Sequence, residues 1–245
     1  MVAYRIGTAG WSLSRAVQEA LPKDGTHLQR YADRFTAVEI NSSFYRAHRR
    51  ATYERWAGSV PPDFRFAVKV PRAITHEQRL VATDVLLDVF LSEATALGNT
   101  LGALLVQLPP SLAFDVDAAQ SFFDDVRTRY DGVVALEPRH ASWFTDAVEN
   151  LLRQYRIARV AADPALIPAA AEPGGWPEIV YFRLHGSPDM YYSSYEAPYL
   201  DRLAERMREA AAHAREVWCI FDNTTLGAAV PNALDLLARL SSAEE

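Results

Sequence analysis

The stretch TAVEINSSFYR, Thr36 to Arg46, decides the fold. Val38 and Ile40 stand two apart, as in a buried strand, while Glu39 and Asn41 take the alternate positions and Tyr45 follows closely. Alternate residues of a strand share a face. One side of this strand is therefore apolar, and the other ends in a carboxylate and an amide. The pattern recurs in three more segments. In FAVKV, Val68 and Val70 oppose Ala67 and Lys69. In VALEPRH, Val134 and Leu136 oppose Ala135, Glu137 and Arg139. In VYFRLHG, Val180, Phe182 and Leu184 oppose Tyr181, Arg183 and His185.

Working outward, eight strand-like runs appear: Tyr4 to Gly10, Ala37 to Asn41, Phe64 to Val70, Gly102 to Leu108, Gly132 to Glu137, Ala158 to Asp163, Ile179 to His185 and Glu216 to Asp222. Helical periodicity fills most of the gaps, as in DVLLDVFLSEATALG ending at Gly98, DVDAAQSFFDDVRTRY, TDAVENLLRQY, PYLDRLAERMREAAAHA and NALDLLARL. The proline- and glycine-rich segment from Pro164 to Glu178 predicts a loop. Strands alternating with helices favour a parallel sheet, and eight such units favour a closed (β/α)₈ TIM barrel of the α/β class. No linker composition divides residues 1–245, which predicts a single domain. An open doubly wound sheet is the rival, but GTAGW after the first strand lacks the dinucleotide-binding glycine pattern.

In a parallel barrel the helix-covered side must be apolar. The polar face then points inward, and Glu39, Asn41, Lys69, Gln107, Glu137, Arg139, Asp163, Arg183 and His185 converge at the C-terminal mouth, with Asp222 and Asn223 closing the eighth strand. Charges there are costly to desolvate unless paired or bound, and barrel enzymes place their sites at that mouth. Glu39, Glu137, Asp163 and Asp222 are matched by Lys69, Arg72, Arg139 and Arg183, so the site is near neutral without a cation. No metal ligand set and no cofactor is expected on that ground, although His76, His140 and His185 keep a divalent-metal alternative in play. A salt-bridge plug of the barrel top is the plain alternative to a site.

The 245 residues carry a net charge of -6, which argues against a broad nucleic-acid surface. Cys219 is the single cysteine, so no internal disulfide or thiolate-rich metal site can form. No apolar run is long enough to span a bilayer and the N-terminus lacks a signal-peptide core, so a cytoplasmic protein without a membrane partner is expected. Lys23 and Lys69 are the only lysines among 25 basic residues.

These residues also carry a resemblance. GTAGWS (7–12), YADRFTAVEINSSFYR (31–46), FRFAVKVPRAITH (64–76), LGALLVQLPPSL (101–112), ALEPRHASW (135–143), YFRLHG (181–186) and FDNTTLGAAVPNA (221–233) make the chain similar to the YecE-like family, domain of unknown function 72. The resemblance implies a TIM barrel and supplies no reaction. Two departures stand out: Leu13 to Pro22 lacks the family's usual Trp and Tyr-Pro, and Asp222 stands where an Asn is usual.

Candidate catalytic residues are Glu39 and Glu137 as an acid–base carboxylate pair, Lys69 as an anion holder, base or Schiff-base amine, and His140 and His185 as proton carriers. His140 can equally cap the following helix. Candidate substrate contacts are Asn41, Tyr45, Arg72, His76, Gln107, Arg139, Trp143, Asp163, Arg183, Asp222 and Asn223, the two arginines Arg139 and Arg183 suiting a bidentate grip on an anion. Four tyrosines in MYYSSYEAPY, Met190 to Tyr199, form a lid or simply pack, and Trp11 and Trp143 are eligible sugar platforms while Trp56 reads as core. The leading expectation is a metal-independent enzyme, hydrolase or isomerase, acting on a small anionic or polyhydroxylated molecule. The alternatives are a divalent-metal phosphoesterase or sugar isomerase, and a non-enzymatic barrel that binds a nucleotide, a nucleic-acid end or a partner protein.

Overall fold

The computed structural model describes residues 2–13 and 22–241. Most of the first-loop departure at Leu13 to Pro22 thus lies outside the described residues. Ten strands form two sheets. The first contains β1 (Ala3–Thr8), β10 (Glu216–Phe221), β9 (Ile179–Leu184) and β7 (Ala161–Asp163), in that order and all parallel. The second runs β2 (Ala37–Ile40), β3 (Arg65–Lys69), β4 (Leu101–Gln107), β5 (Val133–Glu137) and β6 (Ile157–Arg159), again parallel, and ends in the two-residue antiparallel β8 (Gly174–Gly175). Seven helices accompany them among the described residues: α1 (His27–Ala32), α2 (Arg50–Ala57), α3 (Asp84–Ala94), α4 (Val116–Arg129), α5 (Asp146–Gln154), α6 (Ala197–Ala211) and α7 (Ala229–Ser241).

The architecture is mixed α/β with parallel sheets, but the pairing is divided between two sheets where one closed sheet was expected. The expected sixth strand explains one division. It is split at Val160, pairing with β5 before that residue and with β9 after it. The edge of β6 that would face β9 is taken by β8, with Arg159 opposite Gly174 and Ala158 opposite Gly175. Arg159 pins this segment: it pairs with Glu149 and donates to the Ala169 and Glu172 carbonyls, each at 3.0 Å. The segment expected to be a plain loop therefore holds a strand, because two glycines let it approach β6 closely. At the other division the strands are joined by a parallel bridge between Ala9 and Glu39, with the Gly10 amide donating to the Glu39 carbonyl at 2.9 Å, and by Thr36 Oγ1, which accepts from the Ile6 amide and donates to the Tyr4 carbonyl, each at 2.9 Å.

Alternation sorts the side chains into two cores. Val38, Ile40, Val68, Leu104, Val106, Val134, Leu136, Phe182 and Leu184 pack in the larger one, which includes helix residues such as Phe122, Leu152 and Leu203. The opposite faces of both sheets meet in a second cluster that includes Ala37, Ala67, Ala103, Ala135, Ala158, Tyr181 and Trp218. Small residues on β2 to β6 leave room for the stacked rings of Tyr181 and Trp218, whose centroids are 5.6 Å apart. A Cβ on Gly102 would come within 2.6 Å of the Trp218 ring, and one on Gly7 within 1.9 Å of the Ala37 carbonyl oxygen. Both glycines are fixed by close packing. The second cluster matters for function because the charged residues stand directly beyond it, at the C-terminal ends of the same strands.

Side-chain caps start several helices. Asp115 accepts from the Ala118 amide at 2.9 Å, and Thr26 and Gln29 form a reciprocal capping box. Among the described residues no helix is long and apolar enough to cross a membrane.

Candidate functional site

Parallel register places the last inward residue of each strand at one end. Gln107 of β4 lies opposite Glu137 of β5, and Lys69 of β3 lies opposite Leu105 one inward position earlier. At this end Arg183, with no exposed surface, is the hub. Its Nε and Nη2 donate to the two oxygens of Glu39 at 2.9 and 2.7 Å. Nη1 reaches Glu137 Oε2 at 3.1 Å, and Nη2 also pairs with Asp222 Oδ2 at 2.9 Å. His185 closes the ring, with Nε2 at 2.9 Å from Glu137 Oε1 and Nδ1 at 3.1 Å from Asp222 Oδ2. Gln107 and Arg139 complete the first of these carboxylates, donating to Glu137 Oε1 at 3.0 Å and, from Arg139 Nη2, at 2.8 Å.

Burial alone would raise the Glu137 carboxyl, but His185, Arg183 and Arg139 outweigh it and hold the group well below the ordinary carboxylate range. Asp222 behaves alike: burial pushes it up, and Arg183 and its bond to His185 bring it down. The aspartate that departs from the family pattern thus supplies one arm of the network. Every carboxylate oxygen of Glu39 and Glu137 is engaged, and both residues are fully buried. That geometry does not leave them free as the expected acid–base pair, because a general base must be within reach of the proton it takes.

Above the network opens a cavity of about 340 Å³, lined by Lys69, Arg72, His76, Gln107, Arg139 and Tyr191 together with Phe44, Tyr45, Leu108 and Pro110. Four of these carry or can carry positive charge, and none is a carboxylate. Lys69 is the unusual member. Its residue is 4% exposed, and among the described residues its ammonium makes no hydrogen bond or ion pair. It sits instead 4.2 Å from the centroid of the Phe44 ring. Burial, reinforced by Arg183, lowers its pKa to about 8 against the opposing pull of Glu39, Glu137 and Asp222. The Ser43 hydroxyl donates to the Lys69 carbonyl at 2.6 Å and so fixes the strand end from which the side chain projects. His76 is lowered too, first by burial and then by Lys69, Arg72 and Arg139, and its ring meets Phe44 edge-on at 4.9 Å.

The remaining sequence candidates divide. Arg72 pairs with Glu77 at 3.0 Å while still lining the cavity. Asn41 lines a neighbouring hollow with Trp11, Ser42 and Tyr45, and its Oδ1 is buried without a hydrogen-bond partner. Asp163 stays out of the network: its carboxylate accepts from the Tyr195 hydroxyl at 2.8 Å, because β7 ends beside that loop. Trp143 is not a platform. It is buried against Phe114 and donates its indole N–H to the Leu112 carbonyl at 2.9 Å. His140 caps the short turn Ala141–Trp143, accepting from the Ser142 amide at 3.2 Å. Asn223 is buried and donates to the Ser193 carbonyl and to Asn232 Oδ1, each at 2.9 Å. Trp11 packs edge-on against Trp56 at 5.0 Å.

Sequence reasoning missed Phe44, the aromatic seat of Lys69, although it lies inside the opening motif. Tyr191 was seen only as one tyrosine among four; it rests edge-on against His185 at 5.8 Å and lines the cavity. Among the described residues no group of three His, Cys, Asp or Glu side chains is arranged to hold a metal ion.

Comparison with known proteins agrees with this picture in fold. Residues 5–245 match the family model described as protein of unknown function DUF72. The UPF0759 protein YecE of Escherichia coli strain K12 is 29% identical over 171 residues, covering 67% of this chain and 61% of YecE. That match spans less than two thirds of the relative. The UPF0759 protein YunF of Bacillus subtilis strain 168 is 23% identical over 268 residues, covering 96% of this chain and 94% of YunF. A crystal structure of a DUF72 family protein from Thermotoga maritima superposes with a TM-score of 0.80 at 25% identity, covering 99% of this chain and 100% of the other. One from Enterococcus faecalis gives a TM-score of 0.81 at 24% identity, covering 97% and 95%.

Proposed function

The chain belongs to the DUF72 family, and from that premise we propose that it is an enzyme binding a small anionic substrate at the strand C-termini, with Lys69 as its proton-transfer group. The observation that carries the proposal is an ammonium without a hydrogen-bonding or ion-pair partner among the described residues, on a buried lysine that lines a cavity with Arg72 and Arg139 and no carboxylate. An oxyanion in that cavity would give Lys69 the counter-charge it lacks, and Arg139 could share it through its outward N–H groups. With a pKa of about 8, Lys69 is present in both protonation states near neutral pH, which suits general acid–base work. Glu39, Glu137, Asp222, Arg183 and His185 form the scaffold that positions Arg139 and sets the local field.

We further infer that the two sheets are parts of one (β/α)₈-type barrel. The reading is supported by the Ala9–Glu39 bridge on one side, the shared chain from Ile157 to Asp163 on the other, and the inner cluster both sheets enclose. A cytoplasmic location fits the lone, buried thiol of Cys219 and belongs to the same proposal. Calorimetric titration with inorganic phosphate and with malonate tests the anion site. The wild-type chain should bind at least one of them saturably and Lys69→Met should lose at least about tenfold in affinity, as expected for a hydrogen bond to a charged group. Binding that ignores the substitution would remove Lys69 from the site.

A further inference from the structure

The cavity at Lys69 has a neighbour. Phe44, Tyr45 and Arg72 line it and also line a second hollow of about 380 Å³. This second hollow is apolar over most of its wall, where Tyr53, Ile74 and Phe90 are buried and Leu86 and Val89 of α3 border it, with Arg46, Glu77 and Glu93 as its charged members besides Arg72. Val89 is 54% exposed, and Val85, one helical turn earlier, is 65% exposed. Tyr45, at the junction of the hollows, is 69% exposed despite its size. Single exposed apolar residues are ordinary, but Val89 and Tyr45 border a hollow that adjoins the Lys69 cavity. Arg72 at the shared wall is held by Glu77, which keeps its guanidinium at the border of the two hollows.

We propose that the two hollows accept one ligand, an amphipathic anion, whose carboxylate or phosphate head meets Lys69 and Arg139 and whose apolar tail or ring lies in the groove beyond Tyr45. The inference rests on the reading of the mouth as an anion site and adds to it the class of substrate. The three residues common to both linings set the hollows side by side, which argues for a tethered ligand over two independent ones. The hydrophobic term predicts a steep dependence on chain length, about fourfold in affinity for each methylene group buried.

The test is calorimetry with inorganic phosphate, butyl phosphate, octyl phosphate and nonanoate (octyl carboxylate), each below its micelle concentration, on the wild-type chain and on Val89→Glu and Val89→Ala. Octyl phosphate should bind at least about tenfold tighter than butyl phosphate. Val89→Glu should erase that gain and Val89→Ala reduce it, with unfolding midpoints confirming that both variants are folded. The tighter of the two octyl compounds identifies the head group. If inorganic phosphate binds but chain length adds nothing, or if the gain survives Val89→Glu, the amphipathic ligand is refuted while the anion site stands. If none of the four compounds binds, the anion site falls and this inference falls with it.

Discussion

Arg183 and Lys69 are both buried cations at the same end of the strands, yet they live in opposite circumstances. Arg183 faces three carboxylates, those of Glu39, Glu137 and Asp222, within 3.1 Å. Lys69 meets an aromatic ring and the cavity. A charge taken from water needs compensation, and a buried pair stripped of one partner is strongly destabilised. The guanidinium has been compensated within the chain. The ammonium has no such direct partner, and burial lowers its pKa despite the pull of the same three carboxylates. A satisfied network holds a structure; an unsatisfied charge beside it is where a ligand gains most.

The contrast breaks most sharply at Arg183. Arg183→Met would leave three carboxylates buried without their common partner, and should lower stability by about 3–5 kcal/mol in urea unfolding. Lys69→Met should do the reverse. Removing an uncompensated buried ammonium should leave stability unchanged or raised in the same assay, while anion binding is lost.

The two regions should also separate by pH. Lys69 has a folded pKa of about 8, below the ordinary lysine value of 10.5. Between those values the unfolded chain binds more protons, so stability should rise with pH across that window, by up to about 3 kcal/mol from this group alone. Lys69→Met should flatten the rise. Glu137 shows the opposite limb: its pKa is depressed, so its contribution is present above the ordinary carboxylate range and lost as pH falls through its lower folded value. Glu137→Gln should therefore weaken the acid dependence of unfolding.

The smallest effect belongs to a residue outside both regions. His140→Ala removes one cap and should cost about 1 kcal/mol, with anion affinity unchanged.

Much of this cluster at the strand ends was legible in the sequence because strand alternation is a local rule. Glu39, Lys69, Glu137 and Arg183 fall on inward positions by counting in twos, and parallel strands carry them to one end. What counting cannot supply is distance. Asp163 obeys the same parity, yet it faces Tyr195, since the strand that bears it changes sheets at Val160. That change is set by the close approach of Gly174 and Gly175 and by the grip of Arg159, contacts between segments about fifteen residues apart that no periodicity announces. For a related reason the sequence does not show how Glu39 and Glu137 are held. A sequence displays carboxylates, but only the fold shows that one arginine occupies both. His140 and Trp143 follow a strand end, as functional residues do, and turned out to cap and to pack.

The ammonium of Lys69 can be followed directly, because Lys23, which is exposed, is the only other lysine. A pH titration of ¹³C-labelled lysine side chains by NMR, with and without inorganic phosphate, would follow both. The account predicts that Lys69 titrates near 8 in the free protein and moves upward when phosphate is added. A Lys69 signal that titrates at the ordinary lysine value, unmoved by phosphate, would contradict it.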